Sequence, residues 1–170
     1  VMNLVMTAGP LAMITCDISY SNTMFVVEWH VIGMFAPSFF TGYLINRYGV
    51  LNIMITGAIF LFGAVIAAVM GITLFNFWLA LFLLGIGWNF MFIGGTTLLT
   101  ESYSPSEKAK TQGFNDFLVF ASVALASLSS GGLLHVFGWN AVNLGGVPFL
   151  FLASGATLWL LFKRRREVQS

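Results

Sequence analysis

The sequence predicts an all-α integral membrane protein, a bundle of six transmembrane helices, and three observations carry that prediction. Charged residues make up 8% of the 170-residue chain and apolar residues 58%, against roughly 25% and 45–50% in soluble domains. With a mean hydropathy of +0.91 there is too little polar surface to cover a water-soluble globule, so the solvent is lipid. The apolar residues fall into successive stretches split by short breaks, most of them near the ~20 residues a helix needs to cross a ~30 Å hydrocarbon core. Finally, all seven Lys and Arg residues lie on one side of the resulting zigzag. Arg47 sits in one break, Lys108 and Lys110 in another, and Lys163, Arg164, Arg165 and Arg166 in the tail. The breaks around Asp17–Thr23, Gly71–Asn76 and His135–Val142 contain none. Cations are retained on the cytoplasmic face, and a random split this complete arises about once in sixty trials. Both chain ends are expected in the cytoplasm, with residues 163–170 as a basic cytoplasmic tail.

Taken in order, the first stretch, Val1–Cys16, is short: sixteen residues rise only about 24 Å. It begins on an apolar Val without an initiator Met, and it is read as the remainder of a longer span, the chain being a fragment. Four full spans follow at Met24–Ile45, Leu51–Met70, Phe75–Thr100 and Thr111–Leu134, and a sixth runs over Asn143–Phe162. Between the fourth and fifth spans, Ser104-Pro105-Ser106-Glu107 has the form of a capping box with Pro at the first helical position. A helix is therefore expected to start at Ser104.

Polar groups are costly in hydrocarbon, so their distribution indicates which helices face lipid. Leu51–Met70 holds only Asn52 and Thr56, and the last span only Ser154 and Thr157. The third and sixth spans are read as lipid-facing scaffold, a period of three that two related three-helix units would produce. Near mid-span lie Trp88, Asn89 and Ser122. Asn89, Thr96 and Thr100 share one helical face, as do Asn115, Ser122, Ala126 and Ser129. The serine-rich face favours close packing through small residues. Asn89 either bonds a neighbouring helix or lines a wet cavity.

Glu28 lies about 6 Å inside the outer end of its span. It is either an interface-level acid or a desolvated, titratable carboxyl able to carry a proton. Residues two apart on a helix point about 200° from each other, so Glu28 and His30 cannot both face one cavity. Asp116 is expected to pair with Arg47 or with a lysine of the preceding loop.

A net charge of +1 argues against a nucleic-acid partner, and the single cysteine, Cys16, excludes an internal disulfide or a thiolate metal cluster. The two histidines are on different spans and no acid pair, H-x-x-x-H or G-x-S-x-G constellation is present. No enzyme activity, cofactor or metal is expected.

The break after the second span reads Gly42-Tyr43-Leu44-Ile45-Asn46-Arg47-Tyr48-Gly49-Val50. This resembles the G-x-L-x-D-R-x-G-[RK] loop of the major facilitator superfamily. Gly42, Leu44, Arg47 and Gly49 match, while Asn46 replaces the acid and Val50 the basic residue. Glu101 ahead of the Ser104–Glu107 turn, and Phe137-Gly138-Trp139 before the last span, are similar to further features of that family. Nearly the whole chain is covered, in the right order and topology. The resemblance implies twelve spans in two six-helix halves built from inverted three-helix repeats, with substrate held between the halves near the midplane. The chain looks like the carboxy-terminal half of a bacterial permease in the inner membrane, and its partners would be the lipid bilayer, the missing amino-terminal half and a small-molecule substrate.

The function this implies is secondary active transport of a small solute by alternating access. Trp88, Asn89 and Ser122 would contact substrate and Glu28 would couple protons. Gly42, Asn46, Arg47, Gly49, Glu101 and Asp116 would form the gating set. Gly85, Gly87, Gly94 and Gly95, with Pro10 and Pro37, would mark helices that bend or pack closely. With Asn46 in place of the acid, Arg47 is expected to pair with Glu101. The alternative is a self-assembling six-span channel or accessory subunit.

Overall fold

The computed structural model describes residues 1–169, with side chains described through Glu167. Its helices are α1 (Met2–Thr15), α2 (Tyr20–Phe35), α3 (Ser38–Tyr48), α4 (Val50–Val69), α5 (Leu74–Thr100) and α6 (Lys108–Gln169). α2 and α3 together make one 29-residue crossing, Tyr20–Tyr48, longer at both ends than the expected Met24–Ile45 span and broken near Pro37, one of the residues expected to mark a bend. Pro37 is the reason for the bend: it has no N–H to continue the ladder, and its ring disfavours helix at the residue before it.

α6 holds two crossings. A straight helix of its 62 residues would run about 93 Å, three hydrocarbon thicknesses. Gly138, at φ 77°, turns the chain back. Trp139 lies against Gly9 and Gly146 against Val1, so the limb after Gly138 retraces α1. The wide break expected over His135–Val142 is a kink at one residue, affordable because glycine has no Cβ to clash at positive φ. Gly49, at φ 85°, joins α3 directly to α4 in the same way. Ser19 and Thr73 cap α2 and α5, accepting from the Asn22 and Asn76 amides at 3.3 Å.

The Ser104–Glu107 turn departs from expectation. α6 begins at Lys108, because the Ser104 hydroxyl donates to Glu107 Oε2 at 2.7 Å instead of accepting from the helix. The Ser104 amide donates to the same oxygen at 3.2 Å. Only the acid's half of the capping box forms. These two bonds, the hydroxyl's first, hold the Glu107 carboxyl below the usual carboxylate range.

Packing follows an exchanged pattern. α5 packs most extensively on α4 and α2, while α1 packs on α6 and α4 on α6. Ser130 of the first limb of α6 donates to the Leu4 carbonyl at 2.9 Å, and Phe62 of α4 meets Phe151 of the second limb at 5.1 Å. The second helix of each three-helix unit thus rests on the first helix of the other, and the third helices rest on each other, as two intertwined repeats require. Trp139 Nε1 donates to the Ala68 carbonyl at one end, and Leu160 and Leu161 meet Val50 and Leu51 at the other. α4 and the second limb are therefore antiparallel.

α4 corrects the polar census. Eleven of its residues are buried, among them Gly57, Ala58, Ala64, Ala67 and Ala68. Its small-residue face packs on α5 and α6, while Asn52, Thr56, Ile59 and Ile66 stay exposed along the other side. Freedom from polar groups makes a helix compatible with lipid, but its small side chains let neighbouring backbones close over it. α5 shows the same effect from the other side. A β-carbon added at Gly85 would lie 2.6 Å from the His30 carbonyl oxygen, and one at Gly87 would lie 2.8 Å from that of Gly57. Gly94 likewise has no room for a β-carbon beside Met54, whereas Gly95 faces open space.

Candidate functional site: a groove beside Trp88 and a basic end

Trp88 and Ser122 line one groove of about 350 Å³ between α1, α5 and the first limb of α6. Phe92, one turn from Trp88, stacks on it with centroids 4.7 Å apart and planes at 15°. Asn3, Leu118 and Ala126 complete the wall, and no charged side chain lines it. Asn3 donates to the Val123 carbonyl at 3.2 Å and to the Ser127 hydroxyl. Ser122 donates to its own helix at Leu118, 2.7 Å away. The polar atoms left to the groove are two acceptors, the Asn3 carbonyl oxygen and the lone pairs of Ser122, and one donor, the Trp88 indole N–H. The lining is aromatic and polar without charged side chains.

The expected small-residue packing of the serine face is corrected here. Ser122 and Ser129 are exposed, and both hydroxyls bond back within their own helix. From Lys108 to Phe137 the sole buried residue is Ser130.

Asn89 does not line the groove. It is 1% exposed, and its amide donates to the Met34 carbonyl at 2.7 Å and to the Ser38 hydroxyl at 2.6 Å. The Thr41 hydroxyl lies 2.8 Å from both Asn89 Oδ1 and the Pro37 carbonyl, one proton for two acceptors. Of the two readings open for Asn89, the bond to a neighbouring helix holds. The amide spans the break at Pro37 and satisfies groups that the interrupted helix leaves without partners.

Glu28 and His30 point apart, as helical geometry requires. Glu28 is exposed, and His30 is 1% exposed. His30 Nδ1 lies 2.7 Å from the Leu81 carbonyl, so that nitrogen carries the proton and Nε2 is a buried acceptor with no partner among the described residues.

The expected pairing of Arg47 with Glu101 does not form. Glu101 accepts from Arg164 at 2.8 Å, not from Arg47. Arg47 instead donates to the Tyr43 hydroxyl at 3.0 Å and lies 5.4 Å from the Tyr48 ring centroid. The tail reaches Glu101 because α6 returns alongside α4, which sequence spacing alone did not disclose. Asp116 is exposed and accepts from the Asn115 side-chain amide at 3.4 Å; among the described residues it pairs with neither Arg47 nor a lysine. It sits on the uncovered first limb of α6. Asn46 is exposed, and a β-carbon at Gly42 would touch nothing within 4 Å. Gly42 therefore permits no close helix approach here, and Gly49 acts through its positive φ.

Phe92, Arg164, Ser38 and Thr41 were missed from sequence. Phe92 had a usable signal, four residues from Trp88 on the same helical face. The other three have partners more than fifty residues or one Pro-broken turn away, and no local pattern marks them.

Two intertwined units of apolar helices, with an aromatic groove open on one flank, define a polytopic helical membrane bundle. The sequence profile of the Major Facilitator Superfamily matches residues 1–170, and the chain belongs to that family. It is similar to the riboflavin transporter RfnT of Brucella anthropi, 46% identical over 89% of this chain and 38% of the relative. It is also similar to two MFS-type transporters of Bacillus subtilis. YddS is 32% identical over 98% of this chain and 38% of the relative. YdeG is 36% identical over 89% and 36%. The chain thus spans under two fifths of the length of these relatives. No solved structure matches it.

Proposed function

We propose that this chain forms the carboxy-terminal six crossings of a secondary transporter, which moves a small solute by alternating access against an amino-terminal six-helix half. The observation that carries this reading is the uncovered flank. The first limb of α6 exposes Phe114, Phe117, Leu118 and Phe120 together with Ser122 and Asp116. A face that mixes large apolar and polar groups suits a partner bundle and a wet central path better than lipid. The Trp88–Phe92 stack and Ser122 would be this unit's share of the solute site. Asn89 serves it indirectly, by bracing the broken α2–α3 crossing.

The likeness to RfnT makes riboflavin the first solute to test, and a flat ring system with polar groups at its edge fits the groove's aromatic lining and its mixed donor and acceptor groups. The test is riboflavin uptake by bacterial cells deficient in their own uptake and expressing the native protein. Trp88→Ala should lower uptake at limiting riboflavin by about tenfold, the effect of losing about 1.4 kcal/mol of ring stacking. No uptake by the unsubstituted protein would remove riboflavin, and unchanged uptake by Trp88→Ala would remove the groove. In the same assay Glu28→Gln should lose its dependence on a proton gradient if Glu28 carries the coupled proton. Full retention of that dependence would remove Glu28 from the mechanism.

The cation distribution supports both described ends facing the cytoplasm, and the bacterial relatives support the inner membrane as the site. A reporter enzyme that works only outside the cytoplasm, fused after Ser170, should be silent. Activity there would reverse the orientation.

A further inference from the structure

A second cavity, of about 360 Å³, lies at the basic end between the start of α4 and the end of α6. Val50, Leu51 and Leu161 form its apolar side, and Asn52, Arg164 and Arg165 its polar side. Two neighbouring aromatic groups fix its depth. Trp159 is exposed with Lys163 5.6 Å from its ring centroid, and Tyr48 is exposed beneath Arg47. Amphipathic rings capped by cations mark the headgroup level of a bilayer. The cavity therefore opens where lipid phosphates sit, with its apolar wall on the acyl-chain side.

Its charge is not neutralised internally. Glu101 engages Arg164 and Glu167 approaches Lys163 at 4.0 Å, against five basic residues, Arg47 and Lys163 through Arg166. The first-turn amides of α4, preceded by Gly49 without a side-chain cap, add partial positive charge at the same spot. Topology alone explains why these cations are on this side of the membrane. It does not explain why two of them line a cavity floored by leucine.

We propose that this cavity binds the headgroup of an anionic phospholipid, with the phosphate between Arg164 and Arg165 and the glycerol and upper acyl chain against Leu51 and Leu161. Glu101 holds Arg164 in place for the phosphate, and Arg165 provides the unshared charge. A free phosphate ion would use the arginines but gain nothing from the leucines, so the lining favours a lipid.

The test is native mass spectrometry of the native protein in detergent, titrated with phosphatidylglycerol, with phosphatidylcholine of the same chains, and with inorganic phosphate. The unsubstituted protein should retain phosphatidylglycerol and not phosphatidylcholine, and excess inorganic phosphate should not displace it. Arg165→Gln should weaken retention about fivefold, the contribution of one interfacial cation. The double variant Lys108→Gln/Lys110→Gln removes more charge outside the cavity and should leave retention unchanged. An equal loss in both variants would mean diffuse surface attraction and overturn the site. Displacement by inorganic phosphate, or equal retention of phosphatidylcholine, would overturn the anionic-lipid assignment.

Discussion

Gly85→Ala should sharply reduce folded protein, although alanine is the better helix former. In an open helix position the exchange stabilises by about 0.5–1 kcal/mol. At Gly85 the new β-carbon would lie 2.6 Å from the His30 carbonyl oxygen and 3.0 Å from the Met34 nitrogen. Both are backbone atoms of α2, so no rotamer change relieves the clash. The two helices must separate, losing the packing that also places Gly33 2.9 Å from the Phe82 carbonyl, measured from its own would-be β-carbon. The expected cost is about 3 kcal/mol, the upper end of typical overpacking. Thermal unfolding in detergent measures it, with Gly95→Ala as the control. Gly95 lies ten residues along α5 and a β-carbon there meets nothing, so that variant should match or exceed the unsubstituted protein. A Gly85→Ala protein as stable as Gly95→Ala would show that α2 and α5 do not cross where described.

Asn89→Leu should be the most damaging substitution among the mid-span polar residues, at about 2–4 kcal/mol. Leucine keeps roughly the volume but removes both donors, leaving the Met34 carbonyl without the amide that reaches it at 2.7 Å and Ser38 without its partner at 2.6 Å. Orphaned buried polar groups cost about 1–3 kcal/mol each. Bonds between membrane helices average less, near 0.6 kcal/mol, because the unfolded reference finds other partners. The position is unusual because Pro37 has already removed a backbone donor from this turn. Unfolding of Asn89→Leu beside Asn89→Asp separates the contributions. Aspartate keeps the acceptor facing Thr41 and loses the donors, so it should also destabilise. If instead Asn89→Leu unfolds like the parent protein and only solute affinity changes, the amide belongs to a solute site and not to the brace.

How far the site was legible depends on distance along the chain. Trp88 and Ser122 could be selected by depth, since rise per residue converts position in a span directly into height in the bilayer. Whether they share a groove depends on which helices are neighbours, and hydropathy carries no information about that. Asn89 illustrates the limit. Its height was correct, but one residue of helical rotation separates it from Trp88, and that 100° turns one side chain to the groove and the other into the α2–α5 interface. Arg47 illustrates another. The motif placed it at the inner end near Glu101, yet the acid's partner comes from a tail 63 residues further on.

The sequence by itself determined the solvent and the all-helical class, and it carried the expectations of six crossings and of a common side for the cations. Each of these follows from local free energies: apolar length against bilayer thickness, and the cost of moving a charge through hydrocarbon. Tertiary structure alone decided that α4 packs its small residues on α5 and α6, that Asn89 braces a break, that Arg164 holds Glu101, and that Gly138 suffices to reverse α6. Inside lipid the hydrophobic effect no longer distinguishes one helix neighbour from another, so these choices rest on close van der Waals fit and a few directed hydrogen bonds. Those depend on helix rotation and partner identity, which have no one-dimensional signature.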